Sequence, residues 1–242
     1  AVAGIINLAG DLVMAGGTLT AGQVENDSLL TLTGGDLVLS TGSGASGTLF
    51  NTLTGVIDMT PAGSPVTIGA AGAASINNAG TLEMTGAGTA SIDAALNDTG
   101  AIVISGGTLS LNGGGSASGF DITAGAGGVM AFGTTAAGAS HTFSISDGFY
   151  APANVVVDGA TLDVAAASAV IFVDTLGVSA GRLALGAQNA TDQGTLNQTG
   201  GTIAGSGALS VVFGANLTGV VQSGGLTTTL TGTSLIGGSF AL

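Results

Sequence analysis

The chain has 242 residues, with no Lys, one Arg (Arg182), one His (His141) and 14 carboxylates, giving a formal net charge of −13 although only 6% of residues are charged. Without a basic surface it cannot neutralise phosphates, which excludes nucleic acid and disfavours an anionic membrane. No run reaches the roughly 18 apolar residues of a membrane-spanning helix, and eight Phe, one Tyr and no Trp are too few for the aromatic girdles of a membrane barrel.

Apolar residues make up 45% of the chain, too many for polyelectrolyte disorder. Much of that count is Ala, however, and 46 Gly leave little bulk for a wide core, so the fold must be thin. The lack of Cys fits a chain that crosses membranes unfolded, and the lack of Lys removes a common protease target. Both suit an exposed, extracellular life. The opening Ala1-Val2-Ala3-Gly4 shows no basic leader region. It reads as a chain cleaved before residue 1, or as a piece of a longer one.

One phrase recurs along the chain: Gly-x-φ-x-φ, with φ a large apolar residue. It occurs at Gly10, Gly35, Gly55, Gly80, Gly100, Gly107, Gly128, Gly181 and Gly207. In each copy a glycine lets the backbone turn and alternate side chains then point to opposite faces of a short strand. Two copies lie together between Leu96 and Gly113, as Gly100-Ala101-Ile102-Val103-Ile104 and Gly107-Thr108-Leu109-Ser110-Leu111. An apolar-Asn pair precedes several glycines: Ile6-Asn7, Phe50-Asn51, Ile76-Asn77 and Leu96-Asn97. The steps Gly35 to Gly55, Gly55 to Gly80 and Gly80 to Gly100 are 20, 25 and 20 residues.

A repeat of about 20 residues built from strands of three to five residues is a solenoid signature. Helix is disfavoured by the missing 3.6-residue periodicity and by a cost of about 1 kcal/mol for each interior glycine. The expected fold is all-β: a right-handed parallel β-helix with coils of about 20 residues, continuous over 1–242. Roughly ten to twelve coils at about 4.8 Å make a rod on the order of 50–60 Å long. Met14, Met59 and Met84 share one position of the phrase and should fall in one internal ladder. Asn tolerates left-handed backbone at turns and can stack on its equivalents.

Pro61 and Pro65 bracket a loop, and Gly113–Gly119 reads as a flexible turn. His141-Thr142-Phe143-Ser144-Ile145 reads as a plain strand, followed by the most distinctive loop, Asp147-Gly148-Phe149-Tyr150-Ala151-Pro152. Strands resume at Thr161-Leu162-Asp163-Val164 and Ala169–Val173, and the phrase returns from Gly194 to Gly207. Neither end carries an amphipathic capping helix, so exposed strand edges invite end-to-end stacking.

The phrases Asn77–Met84, Ser105–Gly113 and Gly200–Gly207 resemble the β-strand repeats of bacterial surface exoproteins, namely autotransporter passengers and filamentous-haemagglutinin-like adhesins. The resemblance implies a β-helical stalk outside the cell or at a bacterial cell surface, serving adhesion, cohesion or a surface layer. Neither a C-terminal membrane barrel nor a secretion domain is recognisable.

Chemistry is sparse. His141 is the only partner available for a Ser-His-Asp arrangement, and nothing near it resembles a nucleophile elbow. Polysaccharide lyases on β-helices need basic residues, and Arg182 stands alone. Asp58 and Glu83 hold one position of the phrase 25 residues apart. On adjacent coils they would stand about 5 Å apart and raise one pKa. Two carboxylates on a solvated face are the plainer reading. A glycosidase pair and a Ca²⁺ site are the alternatives, although the Gly-Gly-x-Gly-x-Asp repeat of calcium β-rolls is absent. Glu25-Asn26-Asp27 and Asp192 read as ordinary surface.

Phe149-Tyr150 beside Asp147 is the one aromatic–acid cluster that suggests a glycan site. Thr18-Leu19-Thr20, Thr31-Leu32-Thr33 and Thr227–Thr231 raise ice binding. The leading expectation is a non-enzymatic structural solenoid without a cofactor, self-associating through its ends as a filament or surface-layer subunit or serving as an adhesin stalk. A glycan-binding or glycan-cleaving module and an ice-binding solenoid are the competing classes.

Overall fold

Short parallel strands wind into a stack in which every strand meets its equivalent from the coil before and the coil after. The computed structural model describes residues 5–40, 47–70, 74–118, 122–125, 127–134, 138–151, 154–219 and 221–237. Gly119 and Pro152, at the ends of two expected loops, lie outside the described residues. Among the described residues there are 31 strands and no helix. They form a β-solenoid of eleven coils, each contributing one strand to a first face and one to a third face. At one strand spacing per coil the stack rises roughly 50 Å.

The first face begins with Ile5–Leu8, Gln23–Asn26, Thr48–Asn51, Ser75–Asn78 and Ala95–Asp98, and ends at Val221–Ser223. The second face begins with Leu12–Met14, Leu29–Leu32, Val56–Met59, Thr81–Met84, Ala101–Ile104 and Ile122–Ala124. The third runs from Thr18–Ala21 to Leu235–Gly237. In the seventh and eighth coils the first two faces merge into the long strands Thr142–Ala151 and Thr161–Phe172. The expected Asp147 loop is therefore the bent second half of a strand, with register shifts after Ser144 and Asp147.

The φ positions of the recurring phrase fill the core. Leu82 and Met84, Ile102 and Ile104, and Leu109 and Leu111 are buried, as are Leu183 and Leu185. Register stacks like on like: Leu82 pairs with Ile57 and Ile102, and Met84 with Met59 and Ile104. Met14 joins the same ladder through Leu32. Where Gly115 leaves the first-face column without a side chain, Phe143 of the next coil occupies it and packs on Phe132 with centroids 5.4 Å apart.

Two features depart from the sequence expectation. The step from Gly35 to Gly55 is not a coil, because Gly35–Leu39 lies on the third face and Val56–Met59 on the second. True coil steps are uneven: 25 residues from Asn26 to Asn51, 27 from Asn51 to Asn78 and 20 from Asn78 to Asp98. The phrase recurs on all three faces because any short strand entering the stack needs the same alternation. Its glycine also has a second use. At Gly80 and Gly100 the backbone is not left-handed; a Cβ there would stand 2.1 Å from the carbonyl oxygen of the glycine one coil earlier.

The second departure concerns asparagine. Ile76 pairs with Leu49, not Phe50, so Asn51 is equivalent to Asn78 and not to Asn77. Asn26, Asn51, Asn78 and Asp98 point inward at the corner between the first and second faces, and all are buried. The Nδ2 of Asn26 donates to Asn51 Oδ1 at 2.7 Å, and that of Asn51 to Asn78 Oδ1 at 2.6 Å. Asn78 Nδ2 donates in turn to Asp98 Oδ1. The same nitrogens reach backbone carbonyls of the second face, Asn26 to Val56 and Asn51 to Thr81. An amide has a donor and an acceptor on one planar group, so identical residues one coil apart can form a continuous chain.

Asn51→Ala is expected to lower unfolding free energy by about 2–4 kcal/mol, because it strands a buried donor and a buried acceptor. Asn77→Ala, on the outer surface, should change it by less than about 0.5 kcal/mol. Urea denaturation of the two variants checks the register directly, and equal losses would contradict it.

Candidate functional site

Every outward position of a solenoid belongs to a row running along the rod, so each candidate side chain is judged by its row. On the second face the row reads Val13, Thr31, Asp58, Glu83, Val103, Thr123. Asp58 and Glu83 are direct register partners on adjacent coils. Partial burial, and then the negative charge of Asp58, push the Glu83 carboxyl above its ordinary value. Thr85 Oγ1 donates to Asp58 Oδ1 at 2.7 Å. Thr31 and Val103 flank the two acids, so no third carboxylate extends the pair. Among the described residues no three His, Cys, Asp or Glu side chains converge to hold a metal ion.

The structure separates the three residues of the expected aromatic–acid cluster. Phe149 points into the core, 1% exposed, and meets Phe172 edge to face with centroids 5.8 Å apart. Tyr150 faces outward and is 52% exposed. Asp147 is exposed, with a left-handed φ of 60° at the bend of its strand. Tyr150 therefore loses the second ring, because adjacent strand residues point to opposite sides.

His141 is exposed at the entry to Thr142–Ala151, and Arg182 is exposed at the start of its strand with Thr161 and Thr202 as register partners. Thr18 pairs with Asp36, Thr20 with Val38, and Thr31 with Val13 and Asp58. Thr229 pairs with Ser210, which pairs with Thr191. These threonines do not build a flat array of their own kind. Asp27 accepts from Thr52 Oγ1 at 2.7 Å, tying two corner turns together.

Asp192 is not surface. It stands in an inner column between Phe172 and Val211 and is fully buried. Its Oδ1 accepts from the Gly194 N–H at 3.0 Å, and its Oδ2 has no hydrogen-bond partner. Burial pushes its carboxyl up to about 6, against the Gly194 bond, which pulls it down.

One outward row was not anticipated. On the first face Glu25, Phe50, Asn77 and Asn97 are consecutive partners on four coils. They line a shallow cleft of about 380 Å³ above the corner that houses the buried amides. Phe50 is 39% exposed there, and Asn97 Nδ2 donates to Asn77 Oδ1 at 3.1 Å. The missed signal was the pattern φ-x-Asn/Asp in Val24-Glu25-Asn26, Leu49-Phe50-Asn51, Ile76-Asn77-Asn78 and Leu96-Asn97-Asp98. Aligned on it, Glu25, Phe50, Asn77 and Asn97 share the outward position.

Comparison with protein-family models, with curated proteins and with solved structures finds no match. The likeness to bacterial exoprotein repeats thus rests on its motifs alone. Among the described residues no helix is long and apolar enough to cross a membrane.

Asp192 generates a pH signature. Below its ordinary value of 3.8 both folded and unfolded chains hold the proton, and burial costs nothing through ionisation. Between about pH 4 and 6 the unfolded chain releases the proton while the fold keeps it, so stability falls as pH rises. Above that window the loss is constant, about 2–3 kcal/mol. Asp192→Asn should match the parent near pH 3.5 and exceed it in denaturation midpoint at pH 7. A pH-independent difference would rule out this carboxyl as the cause.

Proposed function

We propose that this protein is a non-enzymatic structural rod: an extracellular β-solenoid that self-associates through its end coils as a filament or surface-layer subunit, or carries an adhesin as a stalk. The supporting observation is the state of the two terminal coils. Among the described residues, Ile5–Leu8, Leu12–Met14 and Thr18–Ala21 each have a strand partner on one side only, and so do Val221–Ser223, Thr227–Leu230 and Leu235–Gly237. Ile6, Leu8, Leu12 and Leu19 at one end, and Leu226 and Leu230 at the other, pack on the core but are only partly buried. Ile236, in line with the buried Leu217 of the preceding coil, is more exposed still.

A further parallel coil laid on either end, from a second copy or from flanking polypeptide, would pair these edges and cover this apolar surface. The bacterial cell-surface setting comes from the exoprotein resemblance. The acidic excess opposes association, and divalent cations shared by pairs such as Asp58 and Glu83 would offset it.

Sedimentation velocity and negative-stain electron microscopy, with and without EDTA, test this reading. Rods should join end to end into fibres of single-solenoid width. Leu12→Lys and Leu230→Lys, at opposite ends, should each shorten them. A monomer at all accessible concentrations, with or without Ca²⁺, would overturn self-association. Fibres that persist in EDTA would remove the cation from the account.

A further inference from the structure

We propose that the Glu25–Phe50–Asn77–Asn97 row is a binding site for an uncharged polysaccharide lying along the rod axis. This does not depend on self-association, because the row lies on a lateral face of the second to fifth coils. Phe50 is the one aromatic in an outward row whose other members are Asn, Glu, Asp, Ser or Ala. Its ring lines the cleft, and on the coils to either side stand groups able to bond a hydroxyl.

On one side is the Glu25 carboxylate, an acceptor without a hydrogen bond among the described residues. On the other is the Asn77–Asn97 pair, whose mutual bond leaves the Asn77 Nδ2 donor and the Asn97 Oδ1 acceptor unused. The partners stand about 4.8 Å from Phe50 along the rod.

A pyranose ring offers the matching chemistry. It has a face of C–H groups that stacks on an aromatic ring, and a rim of hydroxyls that both donate and accept. A ring seated on Phe50 would present rim hydroxyls to Glu25 on one side and Asn77 on the other. Charge selects the class. The cleft contains a carboxylate and no cation, in a chain of net charge −13. A uronate or sialylated glycan would bring a second negative charge with nothing to neutralise it.

Openness selects a polymer over a single sugar, since a shallow cleft covers one side of a ring. The row continues with Ser116 and Ser144, so hydroxyl partners repeat at the same spacing for several sugars.

The test is affinity electrophoresis of the full chain in native gels containing hydroxyethyl cellulose, galactomannan or arabinoxylan, with polygalacturonate as the acidic comparator. The protein should be retarded in at least one neutral gel and run freely in polygalacturonate. Phe50→Ala should weaken retardation at least about tenfold, Phe50→Trp should retain it, and the Asn77→Ala/Asn97→Ala pair should reduce it. All three variants should keep the parental melting temperature. No retardation in any neutral gel, or equal retardation of Phe50→Ala, would overturn the site.

Discussion

Each coil must lie one strand spacing from the next on three faces at once, and it does so through backbone hydrogen bonds between parallel strands in register. Thr81 donates to the Gly55 carbonyl and Ala101 to the Gly80 carbonyl, both at 2.9 Å, and the pattern repeats at the corners as well as within the strands. With most backbone polar groups satisfied coil to coil, stability does not need a thick core. That is why a chain with so few aromatics can build a long rod. The same spacing governs composition. Wherever backbone approaches backbone, as along Gly55, Gly80 and Gly100, a Cβ has no room.

Stacking also decides what a polar residue inside the rod can do. An asparagine one coil from another asparagine completes it, donor to acceptor, so Asn26, Asn51 and Asn78 can be buried together. The chain closes on Asp98, whose carboxylate accepts. Upstream, the inner position above Asn26 is Leu8, and the Oδ1 of Asn26 is left without a partner. The corner is thus held by side chains as well as backbone over the second to fifth coils. Asp192 is the contrasting case: a carboxyl between Phe172 and Val211 has no neighbour of its own kind, and only one of its oxygens is bonded.

For function, the outward rows matter more than any single residue. A row repeats its chemistry at strand spacing, which suits ligands or partners that repeat on the same scale: another coil at an end, or a polymer along a side.

The all-β solenoid, the buried φ positions and the methionine ladder were legible in the sequence, because strand alternation is local and each Gly-x-φ-x-φ copy encodes its own inside and outside. The adjacency of Asp58 and Glu83 was legible too, since both sit at one position of consecutive copies on one face. Register between coils was not local. Uneven coil steps, 27 residues from Asn51 to Asn78 but 20 from Asn78 to Asp98, and one phrase shared by three faces, made Asn77 look equivalent to Asn51 when Asn78 is. A one-residue slip exchanges inside for outside. Only the tertiary structure could therefore decide that Asn51 bonds its neighbours in the core, that Phe149 is buried while Phe50 faces solvent, and that Asp192 lies in an apolar column.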